Sequence, residues 1–346
     1  MKRKISSVAA ACFVAISMLF PAQAEEPKIK YEEEDGKIRV TIDDDMFTEF
    51  ITTDTPKPYL YPIVGPTGAK MTRGFPMVTD NKDEEQDHPH HRSLWFAHGS
   101  IAGQDFWHSK KGSPTIESKA SVSSIQGSLT GDKKVDCIVS DDKWFVKSKT
   151  EKPLLSSYTV IWVGVDKDKS RTIDYRTGLS ASLGLLDINA LAEELTFGDT
   201  KEGMMAMRLN PALRLKGKVA TGKAINSNGD KDRNVWGKRA KWVAYWGEVD
   251  GKTCGVAIFD HPTNLRHPTW WHARDYGLVA ANPFGMSDFE RGKHKRGAGS
   301  YTVKKGEALD QQYRFIFFAG TAEEADIAGK YDQWVKETTP DKAEQE

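Results

Sequence analysis

Ile38-Arg39-Val40-Thr41-Ile42-Asp43-Asp44-Asp45-Met46-Phe47-Thr48-Glu49-Phe50-Ile51 decides the fold class. Ile38, Val40 and Ile42 alternate with Arg39 and Thr41, the two-residue period of a strand with one buried face. The three aspartates supply a turn, and Met46 to Ile51 reads as the returning strand. Working outward, the same signal recurs at Thr159–Val165, Arg171–Thr177, Lys241–Glu248, Gly255–Asp260, Ser300–Val303 and Gln312–Phe318. Each run is short and rich in β-branched or aromatic residues, with Gly, Asp, Asn or Lys clusters between. Many short strands separated by turns predict a mainly β sandwich. No internal repeat or low-complexity linker intervenes, so residues 37–338 are expected to form a single domain.

One helix is signalled near the end. Thr321-Ala322-Glu323-Glu324 has the form of a capping box, with Thr321 as N-cap and Glu324 three residues on. Ile327, Tyr331, Trp334 and Val335 then recur at helical spacing, which predicts a helix over 322–337 docked on a sheet. Residues 339–346 read as a disordered tail, and the charged stretch 25–36 as a flexible N-terminal segment.

Residues 1–24 have the form of a secretory signal peptide. Lys2, Arg3 and Lys4 precede an uncharged apolar run from Ile5 to Phe20, and Ala22-Gln23-Ala24 is an A-x-A cleavage signal. Cleavage after Ala24 would place the protein outside the cytoplasm, in the periplasm or beyond the cell. No later segment is apolar for long enough to span a bilayer as a helix, so no integral membrane contact is expected. The chain carries 49 Lys+Arg and 49 Asp+Glu. Loss of the basic leader leaves it slightly acidic, which gives no electrostatic reason to expect nucleic acid. Cys137 and Cys254 remain, as a bridge or as two buried thiols; neither spacing suggests a metal knuckle.

The histidines are unevenly placed. Five of the nine lie between 88 and 108 (His88, His90, His91, His98, His108) and three between 261 and 272 (His261, His267, His272); His294 stands alone. Trp95, Trp107, Trp270 and Trp271 join them. A hydrophobic core does not need imidazoles in bulk, whereas loops that carry function concentrate them. In the first segment, Asp87-His88-Pro89-His90-His91-Arg92-Ser93-Leu94-Trp95, the proline argues against a helix interior. In an extended chain His88 and His90 share one face while His91 points to the other. The second segment, from Asp260 to Gly277, offers Arg266 and Arg274 as clamps for a carboxylate and Trp270 and Trp271 as stacking faces. A third, Thr196 to Arg208, brings Asp199 and Glu202, carboxylates that could serve acid–base work beside imidazoles. The chain has no Walker loop, no GxGxxG, no H-E-x-x-H and no G-x-S-x-G.

Five stretches carry a family resemblance. They are Lys57 through Pro66, Asp87 through Trp95, Phe197 through Met204, Val235 through Ala240, and Phe259 through Gly285. On these motifs the chain resembles a bacterial exported family of unknown function that has carried the label "methane oxygenase PmoA-like". The resemblance runs from about 45 to 335. It implies exported bacterial proteins associated with polysaccharide degradation and supplies no catalytic residues. A methane monooxygenase subunit has several spanning helices, which this sequence lacks, so methane oxidation is not carried over.

The expectation is therefore a large two-sheet β-sandwich of the galactose mutarotase-like or supersandwich type, with one C-terminal helix. It would be an exported carbohydrate-active protein. As an enzyme it would act on a saccharide by hydrolysis, elimination or epimerisation. His90, His91, Glu202 and His272 are the candidate acid–base residues. His88, Arg92, Trp95, His98, Trp107, His267, Trp271, Arg274, Asp275 and Asn282 are the candidate substrate contacts, with Arg92 or Arg274 stabilising developing negative charge. The alternatives are a non-catalytic carbohydrate-binding module with an aromatic platform, or a metal-binding protein. A divalent metal ion, if held, would use His90, His91 and His272. The two histidine segments are expected to meet in one pocket, with at least two imidazoles of the first beside His267 or His272.

Overall fold

The computed structural model describes residues 26–110, 112–126, 134–147, 152–180, 182–183, 187–190 and 194–339. The leader at 1–24 and the tail from 340 onward lie outside these residues.

Twenty strands follow one another along the described chain. The first half holds β1 (Ile29–Glu34), β2 (Lys37–Ile42), β3 (Asp45–Ile51), β4 (Tyr59–Ile63), β5 (Leu94–Phe96), β6 (Thr115–Gln126), β7 (Lys134–Phe145), β8 (Leu155–Val165), β9 (Arg171–Ser180) and β10 (Ser182–Leu183). The second holds β11 (Asp187–Ala190), β12 (Glu194–Phe197), β13 (Met205–Arg208), β14 (Lys223–Asn226), β15 (Trp242–Val249), β16 (Lys252–Asp260), β17 (Trp270–Trp271), β18 (Leu278–Asn282), β19 (Tyr301–Lys304) and β20 (Ala308–Ala319). Two single-turn 3-10 helices (Pro211–Leu213 and Asp232–Val235), a short helix α1 (Met286–Phe289) and the C-terminal helix α2 (Ile327–Thr338) complete the set.

Two eight-stranded sheets form the sandwich. The first runs β1-β2-β3-β4-β5-β13-β18-β17 and the second β14-β15-β16-β20-β9-β8-β7-β6. The strand pairs are antiparallel. Their inner faces share a core: Phe96 of the first sheet meets Trp144 at 6.4 Å and Tyr175 at 6.0 Å, and Phe47 meets Phe317 at 6.1 Å. The mainly β sandwich with a C-terminal helix is thus the architecture of the protein.

The segment 25–36, expected to be flexible, contains β1. Its register against β2 pairs Tyr31 with Val40, and the Tyr31 hydroxyl accepts from Val163 N at 3.0 Å, anchoring an otherwise charged strand to the second sheet. The helix also begins later than the sequence suggests. The capping box forms, with Thr321 N donating to Glu324 at 2.8 Å and Glu324 N to Thr321 at 3.2 Å. It closes only one turn, because Asp326 then takes a left-handed conformation (φ 46°) and itself caps α2 by accepting from Gly329 N at 3.2 Å. Ile327, Tyr331 and Trp334 pack on Trp242, Phe259, Ile316 and Phe318, covering the outer face of the second sheet. Cys137 and Cys254 are both free, buried thiols on separate strands.

Candidate functional site

The chemistry gathers on the outer face of the first sheet, where Phe289 of α1 meets His272 at 5.9 Å. Trp95 of β5 lies opposite Tyr59 on one side and Ala206 on the other; Ala206 lies opposite Ala280. Ala280 in turn exchanges backbone hydrogen bonds with His272, at 2.8 and 3.2 Å. Side chains alternate across a strand, so this row shares one face. Phe96 and its neighbours Leu94, Met205 and Met207 point into the core, so the row points out. Two residues along, Arg208 lies opposite Leu278, whose carbonyl accepts from Arg274 N at 2.7 Å. A second outward row is therefore Arg208, Leu278 and Arg274. Ala206 and Ala280 sit mid-face yet have no exposed surface. The larger side chains around them must lean over them.

The first histidine segment supplies one wall. Asp87 accepts from Arg73 at 2.5 Å, Arg208 at 2.9 Å and His88 at 2.7 Å. Burial pushes its carboxyl up, but Arg208, His88 and Arg73 more than offset this and leave it below the usual range. This anchor holds a loop in which His88 (φ 45°) and Ser93 (φ 52°) both occupy left-handed backbone, uncommon for residues with a side chain. The His91 ring then stacks on Trp95 (5.3 Å, 18°), His88 on His91 (4.8 Å, 11°), and Tyr276 on His88 (5.6 Å, 9°). His90 meets the edge of His91 at 4.3 Å and leans on His108 at 4.7 Å, whose Nδ1 is held by Asp105 at 2.8 Å. Beneath them Lys57 is enclosed, donating to the Trp107 carbonyl, with burial pulling its ammonium down to about 7.

The turn 198–204 and the 270–282 hairpin supply the other wall. Glu202 is half-buried and accepts from Lys201 at 2.6 Å and Thr200 at 2.6 Å. Burial raises its carboxyl, but Lys201, Thr200 and nearby His272 outweigh that, so it stays ionised. His272 is 4% exposed, and its Nδ1 is bonded to the Lys201 carbonyl at 2.8 Å. Burial pulls its imidazole down to about 4 against the pull of Glu202, with Arg274 adding to the lowering.

The hydrogen bonds fix opposite tautomers in two neutral imidazoles. A carbonyl can only accept, so His272 carries its proton on Nδ1 and keeps the Nε2 lone pair. A guanidinium can only donate, so His91 Nδ1, 3.3 Å from Arg208 Nη1, is the lone pair and Nε2 carries the proton. Burial, then His90 and Arg208, pull His91 well below the ordinary histidine range. Among the described residues neither Nε2 has a hydrogen-bond partner, and neither is an enclosed atom, so both reach solvent. The face therefore presents one acceptor, His272, and one donor, His91.

Other expected site residues have structural roles. Trp95, Trp107 and Trp271 are at most 1% exposed and Trp270 is 2% exposed, so none offers a stacking face. Trp271 Nε1 donates to the Ala240 carbonyl and Trp270 Nε1 to Glu290. His98 is fully enclosed under the turn, its Nε2 donating to the Gly198 carbonyl at 2.9 Å. Asn282 bridges the Thr200 carbonyl and the amides of Phe284 and Gly285. Asp199 accepts from the amides of Ser287, Gly297 and Gly299. Arg92 lies over Tyr59 at 5.5 Å, and Asp275 pairs with Arg233 at 3.4 Å. His267 is elsewhere: its Nδ1 meets Asp260 at 2.8 Å and its Nε2 faces Tyr331 of α2 at 3.5 Å. His261 also serves α2, through Thr338 at 2.9 Å. The two segments thus share a face through His91 and His272, but His267 does not join them. Arg208, Tyr276 and Arg73 were not among the candidates. Arg208 closes the third segment and Tyr276 lies one residue before the end of the second, and membership of those segments was the signal available.

Among the described residues no three His, Cys, Asp or Glu side chains are arranged to hold a metal ion. His90, His91 and His272, the residues named for an ion, do not form such a group. A separate cleft of about 730 Å³ lies between the second sheet and α2. Two of its cations, Lys330 and Arg314, are paired with Asp166 at 2.7 Å and Asp174 at 2.6 Å.

The fold and this face define a two-sheet β-sandwich protein with a histidine-rich outer surface. The chain belongs to a family of unknown function, DUF6807, whose model matches residues 37–332; the methane oxygenase label is not part of that match. No curated protein matches the chain. Among solved structures it is similar to a glycoside hydrolase family 97 enzyme from Pseudoalteromonas sp. strain K8 in complex with panose. Identity is 10%, the TM-score is 0.32, and the match covers 85% of this chain and 34% of that one. A 4-alpha-glucanotransferase from Thermococcus litoralis is similar at 11% identity and a TM-score of 0.23, over 85% of this chain and 40% of that one. The chain spans well under half the length of these proteins, and the likeness concerns the β-sandwich alone. No helix among the described residues is long and apolar enough to cross a membrane.

Proposed function

We propose that this is an exported carbohydrate-active enzyme that moves protons on a saccharide at the outer face of its first sheet. The leader-like sequence at 1–24 supports export. One observation carries the chemistry: His272 and His91 are buried, neutral and locked in opposite tautomers, each with its free Nε2 reaching solvent. His272 is the base. Its proton-free Nε2 is available at neutral pH without a preceding deprotonation. His91 polarises a substrate oxygen through its Nε2–H. It does not surrender that proton, because a neutral imidazole would become an imidazolate. Glu202, held ionised by Lys201 and Thr200, stabilises the imidazolium that forms on His272. The alternative of a non-catalytic aromatic platform loses support because the tryptophans it needs are buried.

The test is a screen of the purified protein against neutral and acidic glycans, with His272→Ala and His91→Ala as controls. Turnover by the parent protein, lost in His272→Ala and reduced in His91→Ala, is the expected result. Saccharide binding without turnover, unaffected by either change, contradicts the reading.

A further inference from the structure

Arg274 is the second feature of this face that bears on a ligand. It stands two residues from His272 on the same outward face, which by strand geometry separates them by about 7 Å. Its guanidinium lies 5.4 Å from the Tyr276 ring and 5.9 Å from Trp236. Tyr276 is covered on another side by Arg208 at 4.6 Å. Three of the neighbours of Arg274 do have carboxylates: Arg73 and Arg208 share Asp87, and Lys201 holds Glu202. Arg274 has no ion-pair or hydrogen-bond partner for its side chain among the described residues, and its neighbour Asp275 pairs with Arg233 instead. Arg274 thus stands without a carboxylate partner close to His272. Nearby, Trp236 Nε1 is enclosed without a partner.

We infer that the saccharide is an acidic one, a uronic-acid glycoside whose carboxylate is bound by Arg274, and that the reaction is β-elimination. This inference rests on the reading above. The forked guanidinium matches a carboxylate with two parallel hydrogen bonds, and the aromatic rings beside it restrict how it can turn. His272 Nε2 removes the proton from the carbon next to that carboxylate. The C–H electron pair moves into the carboxylate, whose second developing negative charge is held by Arg274. As this enediolate collapses, a double bond forms to the next ring carbon and the bond from that carbon to its glycosidic oxygen breaks. His272 returns the proton it took to the departing oxygen. Atoms and charge balance, no oxidant or water is consumed, and the products are a saccharide with a new hydroxyl and an unsaturated uronide.

The experiment uses the full protein with a panel of uronic-acid oligosaccharides and their carboxyl-reduced, neutral counterparts. It follows the ultraviolet absorbance of the unsaturated acid and, in deuterated water, exchange at the carbon next to the carboxylate. The expected result is an unsaturated product from acidic members alone. Arg274→Ala should lower kcat/KM about 10²–10³-fold, Arg274→Lys should recover part of it, and both should keep the parent thermal midpoint. Hydrolysis of neutral members that is indifferent to Arg274→Ala overturns the inference while leaving the saccharide reading intact. Neither binding nor turnover of any saccharide overturns both.

Discussion

The outer faces of the two sheets are built from the same residue types and used in opposite ways. On the second sheet Trp242, Phe259, Ile316 and Phe318 are sealed by α2, and two histidines serve the seal: His261 bonds Thr338 and His267 joins Asp260 to Tyr331. On the first sheet small residues, Ala206 and Ala280, leave room for His91, Arg208 and His272 to lean over the strands. There the histidine nitrogens are bonded on one side only. A histidine with both nitrogens engaged is part of the scaffold. One with a single nitrogen fixed and the other open to solvent is equipped for chemistry. His261 to His272 spans twelve residues and contains both kinds.

The largest effect expected from that contrast is on turnover. His272→Ala should lower kcat/KM by about 10²–10⁴-fold, the range for a lost general base, with an unchanged thermal midpoint. His267→Ala should do the reverse, lowering the midpoint and sparing kcat. Equal losses of activity in the two variants would break the comparison. Asp260→Ala sharpens it on the scaffold side. Asp260 has no exposed surface and accepts from Asn264 at 2.8 Å, His267 at 2.8 Å and Thr269 N at 2.9 Å. Its loss leaves buried donors unpaired and should cost about 1–3 kcal/mol in denaturant unfolding, with α2 loosening first in hydrogen exchange.

Acid should then erode the fold before it reaches the carboxylates. Burial lowers His272, His98 and His261 to about 4 from an ordinary 6.5. Below pH 6.5 the unfolded chain takes up protons that the folded chain refuses, so it is the unfolded state that acid favours. Stability from these groups should be complete above pH 6.5 and fall as pH drops from 6.5 towards 4, measured by unfolding at successive pH values. The acid limb of kcat/KM should track a group well below 6.5. A limb centred near 6.5 would mean that His272 is not the base. The smallest effect concerns the helix start. Asp326→Ala should cost about 1 kcal/mol, and Thr321→Ala less, because Thr321 closes a turn that precedes α2. Neither change should alter turnover.

The strands with two-residue alternation, such as Ile38 to Ile42, were legible because one face is buried and the other wet. Leu94–Phe96 and Met205–Arg208 were not. They are short and buried on both faces, so no alternation survives. Thr115–Gln126 is rich in serine and was not among the expected strands, yet twelve residues pair with β7. For the site, the density of imidazoles marked the right segments. It could not separate His267 from His272, because that difference lies in which neighbour each ring meets after folding. Trp95 and Trp271 misled for a related reason: an indole can serve as a platform or as a wall of the core, and composition does not distinguish the two.

The central claim is that His272 and His91 are neutral and hold opposite tautomers on one face. Nitrogen-15 NMR of histidine-labelled protein reads this directly, with His272→Gln and His91→Gln for assignment. At pH 6 the account predicts His272 protonated on Nδ1 alone and His91 on Nε2 alone, with His272 not titrating until about pH 4. A His272 ring that titrates near pH 6.5, or that carries its proton on Nε2, would contradict it.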